Sequence, residues 1–183
     1  RFNAKKRNIE CYIHPRDTAE RFYDKGNMTI EQFLEEWNNG SDRLLVHTSG
    51  STGAPKPMWV KKRRMLNSAR ITCDFLGLHG GDTALLCMSL DYIAGKMMAV
   101  RSVERGLKLT EIEPCGHPMA SFVSRPDTFP DGGFDLVAMV PMQVYNSLQV
   151  AEEAELLRKT RHLIIGGGAI DDGLERRLQT FPH

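Results

Sequence analysis

The sequence predicts an α/β fold with a mainly parallel sheet and helices on both faces. Three observations carry this prediction. Short apolar runs suited to strands alternate with segments of helical period along most of the chain. The connections between them are short, which is typical of βαβ units in a parallel sheet. The 183 residues, 41% hydrophobic and 26% charged, have the composition of a globular chain and suffice for one sizeable core.

The first element with a clear period is a helix that begins after Thr29. Thr29 is a good N-cap, and Gln32 stands three residues further on, as in a capping box. Apolar residues then recur at helical spacing from Ile30 to Trp37. Residues 1–28 lack a clear period, so we expect them to be an irregular or short-strand lead-in. Residues 29–183 are expected to form one α/β domain.

The rest of the chain alternates between the two element types. Strands are predicted at 43–48, 58–60, 82–88, 107–112, 134–140 and 161–165. Helices are predicted at 61–76, at 92–105, in two pieces from Pro141 to about 158, and from about Asp171. Residues 113–133 are rich in proline and glycine and are predicted to be loop. The helix at 61–76 is expected to face the core with Met65, Ala69, Thr72, Phe75 and Leu76.

The most specific motif follows the strand at 43–48. The segment Thr48-Ser-Gly-Ser-Thr-Gly-Ala-Pro-Lys56 combines two glycines, four hydroxyl side chains and a final lysine. Glycine allows the backbone to approach a ligand closely, hydroxyl groups donate to anionic oxygens, and lysine adds positive charge. The pattern therefore indicates a polyphosphate cradle at the end of a strand. It is not a Walker A loop, because no Gly-Lys-Ser/Thr follows. A flexible linker is disfavoured, since linkers seldom follow a buried strand and end in Pro-Lys.

This motif resembles the signature of the adenylate-forming enzymes, which include acyl- and aryl-CoA ligases, luciferases and nonribosomal-peptide adenylation domains. Leu90-Asp-Tyr-Ile-Ala-Gly95 falls where that family has an aromatic/His-x-x-Gly segment. Leu163-Ile-Ile-Gly-Gly-Gly-Ala169 resembles its Gly-Gly-Ala segment. The resemblance spans about residues 30–183. Within the family it is strongest to the o-succinylbenzoate–CoA ligases of menaquinone biosynthesis.

The resemblance implies the fold of the large N-terminal domain and an ATP-dependent acid–CoA ligase. Such an enzyme joins a carboxylate to AMP with release of pyrophosphate, and then forms a thioester with coenzyme A. By resemblance, the phosphate-binding residues are Thr48, Ser49, Gly50, Ser51, Thr52, Gly53 and Lys56, with Lys56 stabilising the departing pyrophosphate. The implied adenine and acyl border is Gly167, Gly168 and Ala169. The implied acid pocket contains Asp91, Tyr92 and Gly95, although Asp91-Tyr92 replaces the family's usual aromatic-His pair.

Several family motifs have no counterpart before His183. These are the aromatic-Gly-x-Thr-Glu motif with its magnesium-binding Glu, the ribose-binding Asp, and the C-terminal domain with its adenylation lysine. We therefore expect an N-terminal fragment that is inactive by itself. ATP, magnesium and coenzyme A are the cofactors and substrates of the complete enzyme, and no metal ligand is assigned here. Two alternatives remain open: an adenylation enzyme with another acceptor, and a non-catalytic nucleotide-binding or interaction module.

The composition disfavours nucleic acid and membranes as partners of this chain. Lysine plus arginine number 24 against 23 acidic residues, giving a net charge of +1, so no global basic field favours nucleic acid. No apolar run is long enough for a membrane span, and the cysteine spacing suggests free thiols in a reducing cytoplasm. The expected partner is a small carboxylic acid, with neither nucleic acid nor membrane. The sequence leaves the oligomeric state open, a homo-oligomer included.

Some polar residues near these motifs have two interpretations. His47, inside a strand, is predicted to be a satisfied core or supporting histidine rather than a catalytic base. Residues 61–64, Lys-Lys-Arg-Arg, are expected to be a solvated helix start. Lys96 and Arg101 are expected to be charges on a helix surface, with a substrate carboxylate as the alternative partner.

Overall fold

The chain is described by a computed structural model that covers residues 28–48 and 56–181, together with the backbone of residues 12–13. Its strands are β1 (Tyr12–Ile13), β2 (Arg43–Thr48), β3 (Lys56–Lys61), β4 (Thr83–Leu86), β5 (Lys108–Glu111), β6 (Leu136–Met139) and β7 (His162–Ile165). Its α-helices are α1 (Ile30–Asn38), α2 (Lys62–Phe75), α3 (Ile93–Arg105), α4 (Ala120–Ser124), α5 (Pro141–Gln149), α6 (Ala151–Arg158) and α7 (Asp172–Leu178).

Five of these strands form one parallel sheet in the order β1-β5-β4-β6-β7. The strands β2 and β3 pair separately as an antiparallel hairpin. The chain leaves β4 through α3 toward β5 and leaves β6 through α5 and α6 toward β7, so the connections diverge between β4 and β6. In parallel sheets, ligands bind outside the carboxyl ends of the strands at such a point of divergence.

Alternate residues of the strands build a core on each face of the sheet. Ala84 and Leu86 of β4 pack with α1, α2 and α3, whereas Leu85 packs on the opposite face with α4 to α7. This separation follows from the period of two along a strand. The expectation of a parallel sheet with helices on both faces is therefore confirmed.

The start of the first helix follows the sequence prediction in detail. The Thr29 hydroxyl accepts a hydrogen bond from the Gln32 backbone N–H, and the Gln32 side chain accepts one from the Thr29 N–H, which completes a capping box. Ile30 and Phe33 are the buried residues of this helix. The helix therefore begins where its capping groups satisfy the free N–H groups of its first turn.

The structure corrects the prediction that residues 61–64 are a fully solvated helix start. Lys62 is only 8% exposed. Its ammonium group donates to the carbonyl oxygens of Glu36 and Trp37 at 2.7 and 2.8 Å and to Oδ1 of Asn39 at 3.0 Å. These acceptors lie at the end of α1, where carbonyl groups lack helical partners and a cation is favoured. Burial lowers the pKa of Lys62, and the nearby carboxylates of Glu36 and Asp42 oppose this shift.

Two further expectations about local structure are wrong. Phe75 does not face the core: it is 87% exposed, because the inward positions of α2 are taken by Met65, Ala69 and Cys73 at a spacing of four residues. The segment 113–133 is not all loop, since it contains α4 and a 3₁₀ turn. With five residues, α4 is too short to show a period. It is anchored by Phe122, whose ring packs edge-on against Phe134.

Replacing Lys62 with methionine tests the contact between α2 and the end of α1. The change keeps most of the apolar side-chain length but removes three charge-assisted hydrogen bonds. We expect the free energy of unfolding to fall by about 2–3 kcal/mol, measured by urea denaturation. Lys61→Met, at the exposed neighbouring lysine, should change it by less than about 0.5 kcal/mol. Equal effects of the two substitutions would contradict this role of Lys62.

Candidate functional site

The carboxyl ends of the parallel strands converge on one edge of the sheet. The segments that leave this edge are residues 87–92 after β4, 112–117 after β5, Val140-Pro141 after β6 and 166–169 after β7. We call this the carboxyl edge. It lies at the point where the connections diverge, so it is the place where the fold favours a ligand.

A buried amide holds three parts of this edge together. Gln143 on α5 is 5% exposed, and its side-chain nitrogen donates to the carbonyl oxygens of Cys87 and Cys115 at 3.0 and 2.9 Å. Its side-chain oxygen accepts from the Val140 N–H at 3.1 Å. One side chain therefore links the ends of β4 and β6 with the loop after β5. The sequence analysis missed Gln143, because Val140 at the N-cap has no hydroxyl to complete a capping-box pattern with it.

The thiol of Cys87 is not a reactive group at this edge. Burial raises the pKa of Cys87 to about 12. Its Sγ lies 3.4 Å from the Ala138 carbonyl oxygen, to which the thiol donates. The side chain thus fills the core on the second face of the sheet.

The hairpin of β2 and β3 brings the two ends of the predicted phosphate motif together. Thr48 stands opposite Lys56 in the antiparallel register. Lys56 is exposed and Thr48 is half-buried. The other predicted phosphate-binding residues, Ser49, Gly50, Ser51, Thr52 and Gly53, lie outside the described residues. The motif was expected to follow a buried strand. It does follow a strand with buried residues, since β2 buries Leu44 and Val46, but that strand pairs with β3 in a ribbon separate from the parallel sheet.

The end of this hairpin rests against the carboxyl edge. His47, next to Thr48, forms a parallel β-bridge with Tyr92. The Nδ1 atom of His47 lies 3.3 Å from the Asp91 carbonyl oxygen. As the sequence predicts, His47 is a half-buried residue that is satisfied by a protein partner. Through it, the end of β2 lies beside the segment that leads from β4 to α3.

The predicted acid-pocket residues lie on that segment. The carboxylate of Asp91 accepts from the Ser89 hydroxyl at 3.0 Å and from the Met28 N–H at 3.2 Å, so both of its oxygens have protein partners. Tyr92 is partly exposed at the start of α3. Gly95 does not line an open pocket: a Cβ there would stand 2.3 Å from the Ser89 carbonyl oxygen. Its missing side chain allows α3 to pack directly on the preceding turn.

The glycine segment after β7 lies next to the start of α5. Gly167 has φ of +83°, a left-handed conformation that favours glycine. A Cβ at Gly168 would meet the Pro141 ring at 3.5 Å. Ala169 lines an open cavity of about 230 Å³. The other residues of this cavity are Pro141, Met142, Tyr145, Asp171 and Leu174.

Lys96 and Arg101 are not the surface charges that the sequence suggested. Lys96 is 2% exposed and forms an ion pair of 3.3 Å with Glu36 of α1, beneath the Phe33 ring. Arg101 is half-buried; within the part of the chain that the structure describes, its Nε has no hydrogen-bond partner. Burial lowers the pKa of Arg101. Neither residue lies free on the outer face of α3, because α1 and α2 cover that helix.

The described residues contain no group of three histidine, cysteine or acidic side chains that could hold a metal ion. Over the same residues, no helix is both long and apolar enough to cross a membrane.

This arrangement, a parallel sheet with a hydroxyl- and glycine-rich hairpin at its carboxyl edge, matches the N-terminal domain of adenylate-forming enzymes, as the sequence predicts. An acyl-CoA synthetase (AMP-forming)/AMP-acid ligase II-like protein from Dyadobacter fermentans is 35% identical, with a TM-score of 0.71 over 82% of this chain and 41% of that one. The N-terminal domain of FACL13 from Mycobacterium tuberculosis, solved with an inhibitor, is 25% identical, with a TM-score of 0.57 over 75% of this chain and 34% of that one.

Sequence relatives point to the same class. A 2-succinylbenzoate–CoA ligase from Enterococcus faecalis is 23% identical over 144 residues, which is 79% of this chain and 29% of that relative. No family model matches the chain. The chain is therefore similar to the N-terminal part of these enzymes and spans less than half of the length of each of these three proteins.

Replacing Gln143 with leucine tests whether its amide holds the carboxyl edge together. The leucine side chain is of similar size but leaves two carbonyl oxygens and one N–H without their partner. We expect the free energy of unfolding to fall by about 2–4 kcal/mol, as measured by guanidinium denaturation. Gln149→Leu, on the exposed side of the same helix, should fall within about 0.5 kcal/mol of the wild type. A Gln143→Leu protein as stable as the Gln149→Leu protein would refute this role.

Proposed function

We propose that this chain is the nucleotide-binding part of an ATP-dependent acid–CoA ligase. The observation that carries the proposal is the position of the hairpin. Thr48 and Lys56 pair at the end of this hairpin, and His47, next to Thr48, contacts Asp91 at the carboxyl edge, where the fold favours a ligand. A hydroxyl and an ammonium group at the two ends of a glycine-rich segment suit a polyphosphate chain.

The roles of the residues follow from their chemistry. The Lys56 ammonium would neutralise charge that accumulates on the departing pyrophosphate, while Thr48 and the residues Ser49 to Gly53 would hold the β- and γ-phosphates. Gly167, Gly168 and Ala169 would border the adenine and the acyl group, since exposed glycine backbone allows a flat ligand to approach closely. Catalysis in such a site consists largely of positioning and charge neutralisation.

The proposed reaction has two steps. The substrate carboxylate attacks the α-phosphate of ATP, forming acyl-AMP and releasing pyrophosphate. The thiol of coenzyme A then displaces AMP to give a thioester. The family resemblance implies that magnesium binds together with ATP. The described residues contain no group of three side chains that could hold a metal ion, and we assign no step to a protein-bound metal.

For the acid we propose o-succinylbenzoate, and for the pathway menaquinone biosynthesis in the cytoplasm. The support is the identity of the curated relatives, several of which are 2-succinylbenzoate–CoA ligases at 23% identity. The half-buried turn around Asp91 and the cavity beside Ala169 are the two surfaces from which an acid pocket would be completed.

Substitution of Lys56 tests the phosphate-binding part of the proposal. Residues 1–183 should bind ATP and inorganic pyrophosphate, and Lys56→Ala should weaken both about tenfold through loss of one charge-assisted contact, or about 1.4 kcal/mol. Calorimetric titration measures these affinities. Lys61→Ala, at the opposite end of the same strand, is the matched control and should change them less than about twofold. Equal affinities in the two variants would remove Lys56 from the site.

Two further measurements, one of binding and one of turnover, test the proposed acid and the expected inactivity of residues 1–183. A non-hydrolysable mimic of o-succinylbenzoyl-AMP should bind more tightly than the corresponding benzoyl-AMP mimic. Residues 1–183 alone should release no AMP when given ATP, o-succinylbenzoate and coenzyme A, because catalytic groups that act as a unit are lost together. Equal binding of the two mimics would argue against o-succinylbenzoate. Robust turnover would overturn the inactive-fragment expectation.

A further inference from the structure

In the contact between His47 and the segment after β4, the donor and the acceptor can be assigned. A main-chain carbonyl oxygen can only accept hydrogen bonds, so the 3.3 Å contact with the Asp91 oxygen requires a proton on Nδ1 of His47. This assigns the protonated ring nitrogen from its partner. The ring is half-buried between the hairpin and the start of α3, and the same residue forms the backbone bridge to Tyr92.

The acceptor of this bond is held rigidly. The Asp91 N–H donates to the Ser89 hydroxyl at 3.2 Å, and the Tyr92 N–H donates to the Ser89 carbonyl at 3.3 Å. The Asp91 carboxylate is fixed from two sides by the Ser89 hydroxyl and the Met28 N–H. Gly95 packs directly beneath this turn. The Asp91 carbonyl therefore offers a fixed point to which a neighbouring strand can be attached.

The hairpin needs such an attachment. A two-stranded ribbon is at best marginally stable by itself. Along β3, Met58 and Trp59 are 47% and 62% exposed, whereas β2 buries Leu44 and Val46. The hairpin is thus held to the rest of the molecule mainly through β2. His47 directly precedes Thr48, the last residue of β2. Its contact with Asp91 therefore acts at the end of the hairpin that leads into the phosphate motif.

We propose that His47 is a positioning residue that fixes the end of β2 at Thr48, and through it the paired end of β3 at Lys56, against the Asp91–Tyr92 turn. The Nδ1–H bond sets the distance between the hairpin end, where phosphates would bind, and the segment on which the acid pocket would be built. This role rests on the proposed function for its effect on substrates, but the attachment itself can be observed without any ligand.

A pair of substitutions isolates the hydrogen bond. The side-chain nitrogen of asparagine occupies nearly the position of Nδ1 in histidine and keeps a donor, whereas leucine fills similar space without one. Amide hydrogen exchange of the full 183-residue chain reports the attachment. In His47→Leu we expect exchange at residues 46–48, 56 and 58 to be about tenfold faster, with β4 and β6 unchanged. The exchange rates of His47→Asn should stay within about threefold of the wild-type rates. His79→Leu, at an exposed histidine, should exchange at the wild-type rates.

Affinity for ATP, measured on the same proteins, links the attachment to the substrate. His47→Leu should weaken ATP binding about tenfold, and His47→Asn should largely restore it. Wild-type exchange rates in His47→Leu, or equal defects in the leucine and asparagine variants, would overturn the positioning role. Faster hairpin exchange in His47→Leu, rescued by asparagine, in a chain that binds no ATP even as wild type, would support the attachment and refute the proposed function.

Discussion

The carboxyl edge of the sheet depends on one buried amide. Main-chain groups at strand ends have left the ladder of the sheet, so each needs another partner if it is buried. Gln143 supplies three such partners at once, for Cys87, Cys115 and Val140. Because these groups belong to different strands, the side chain fixes the relative position of the segments from which a ligand site would be built. The Asp91 turn begins at Ser89, two residues after Cys87, and the glycine segment after β7 packs beside Pro141.

The hairpin is a second unit attached to this frame at both of its ends. At its base, the Lys62 ammonium caps the last carbonyl groups of α1, and the Lys62 N–H donates to the Asp42 carbonyl at 2.9 Å. A lysine at the first position of α2 is unfavourable for the dipole of that helix, but the same charge is favourable at the end of α1. At the other end, His47 holds the ribbon against the start of α3. Attachment at two points restrains both the orientation of the ribbon and the place where its end lies.

Much of the fold could be predicted because its signals are local. The capping box at Thr29 and the proline at the start of α5 involve neighbours in sequence, and short apolar runs mark the strands. The separate pairing of β2 and β3 was not predicted, since an apolar run at 43–48 fits a buried parallel strand equally well. The short helix α4 was missed because five residues carry no period.

The positions of the polar residues were harder to predict, for a physical reason. Lys62 and Lys96 look like surface charges in the sequence, yet their partners on α1 come from residues more than twenty positions away. Gln143 likewise finds its acceptors 28 and 56 residues away. The phosphate motif differs, because its composition by itself predicts a ligand chemistry, and that ligand stays a prediction. The motif gave no sign that β2, the strand before it, contacts Asp91 through His47.

We expect a nucleotide to bind where the hairpin meets the carboxyl edge. Backbone amide chemical shifts of the 183-residue chain, followed by NMR during titration with ATP, locate such binding residue by residue. Saturable shifts are expected at residues 47–48 and 56, at 88–92, and at 166–169, with no change at residues 80–82 and 106–107 on the opposite edge. Saturable shifts confined to the opposite edge, or none anywhere at millimolar ATP, would contradict it.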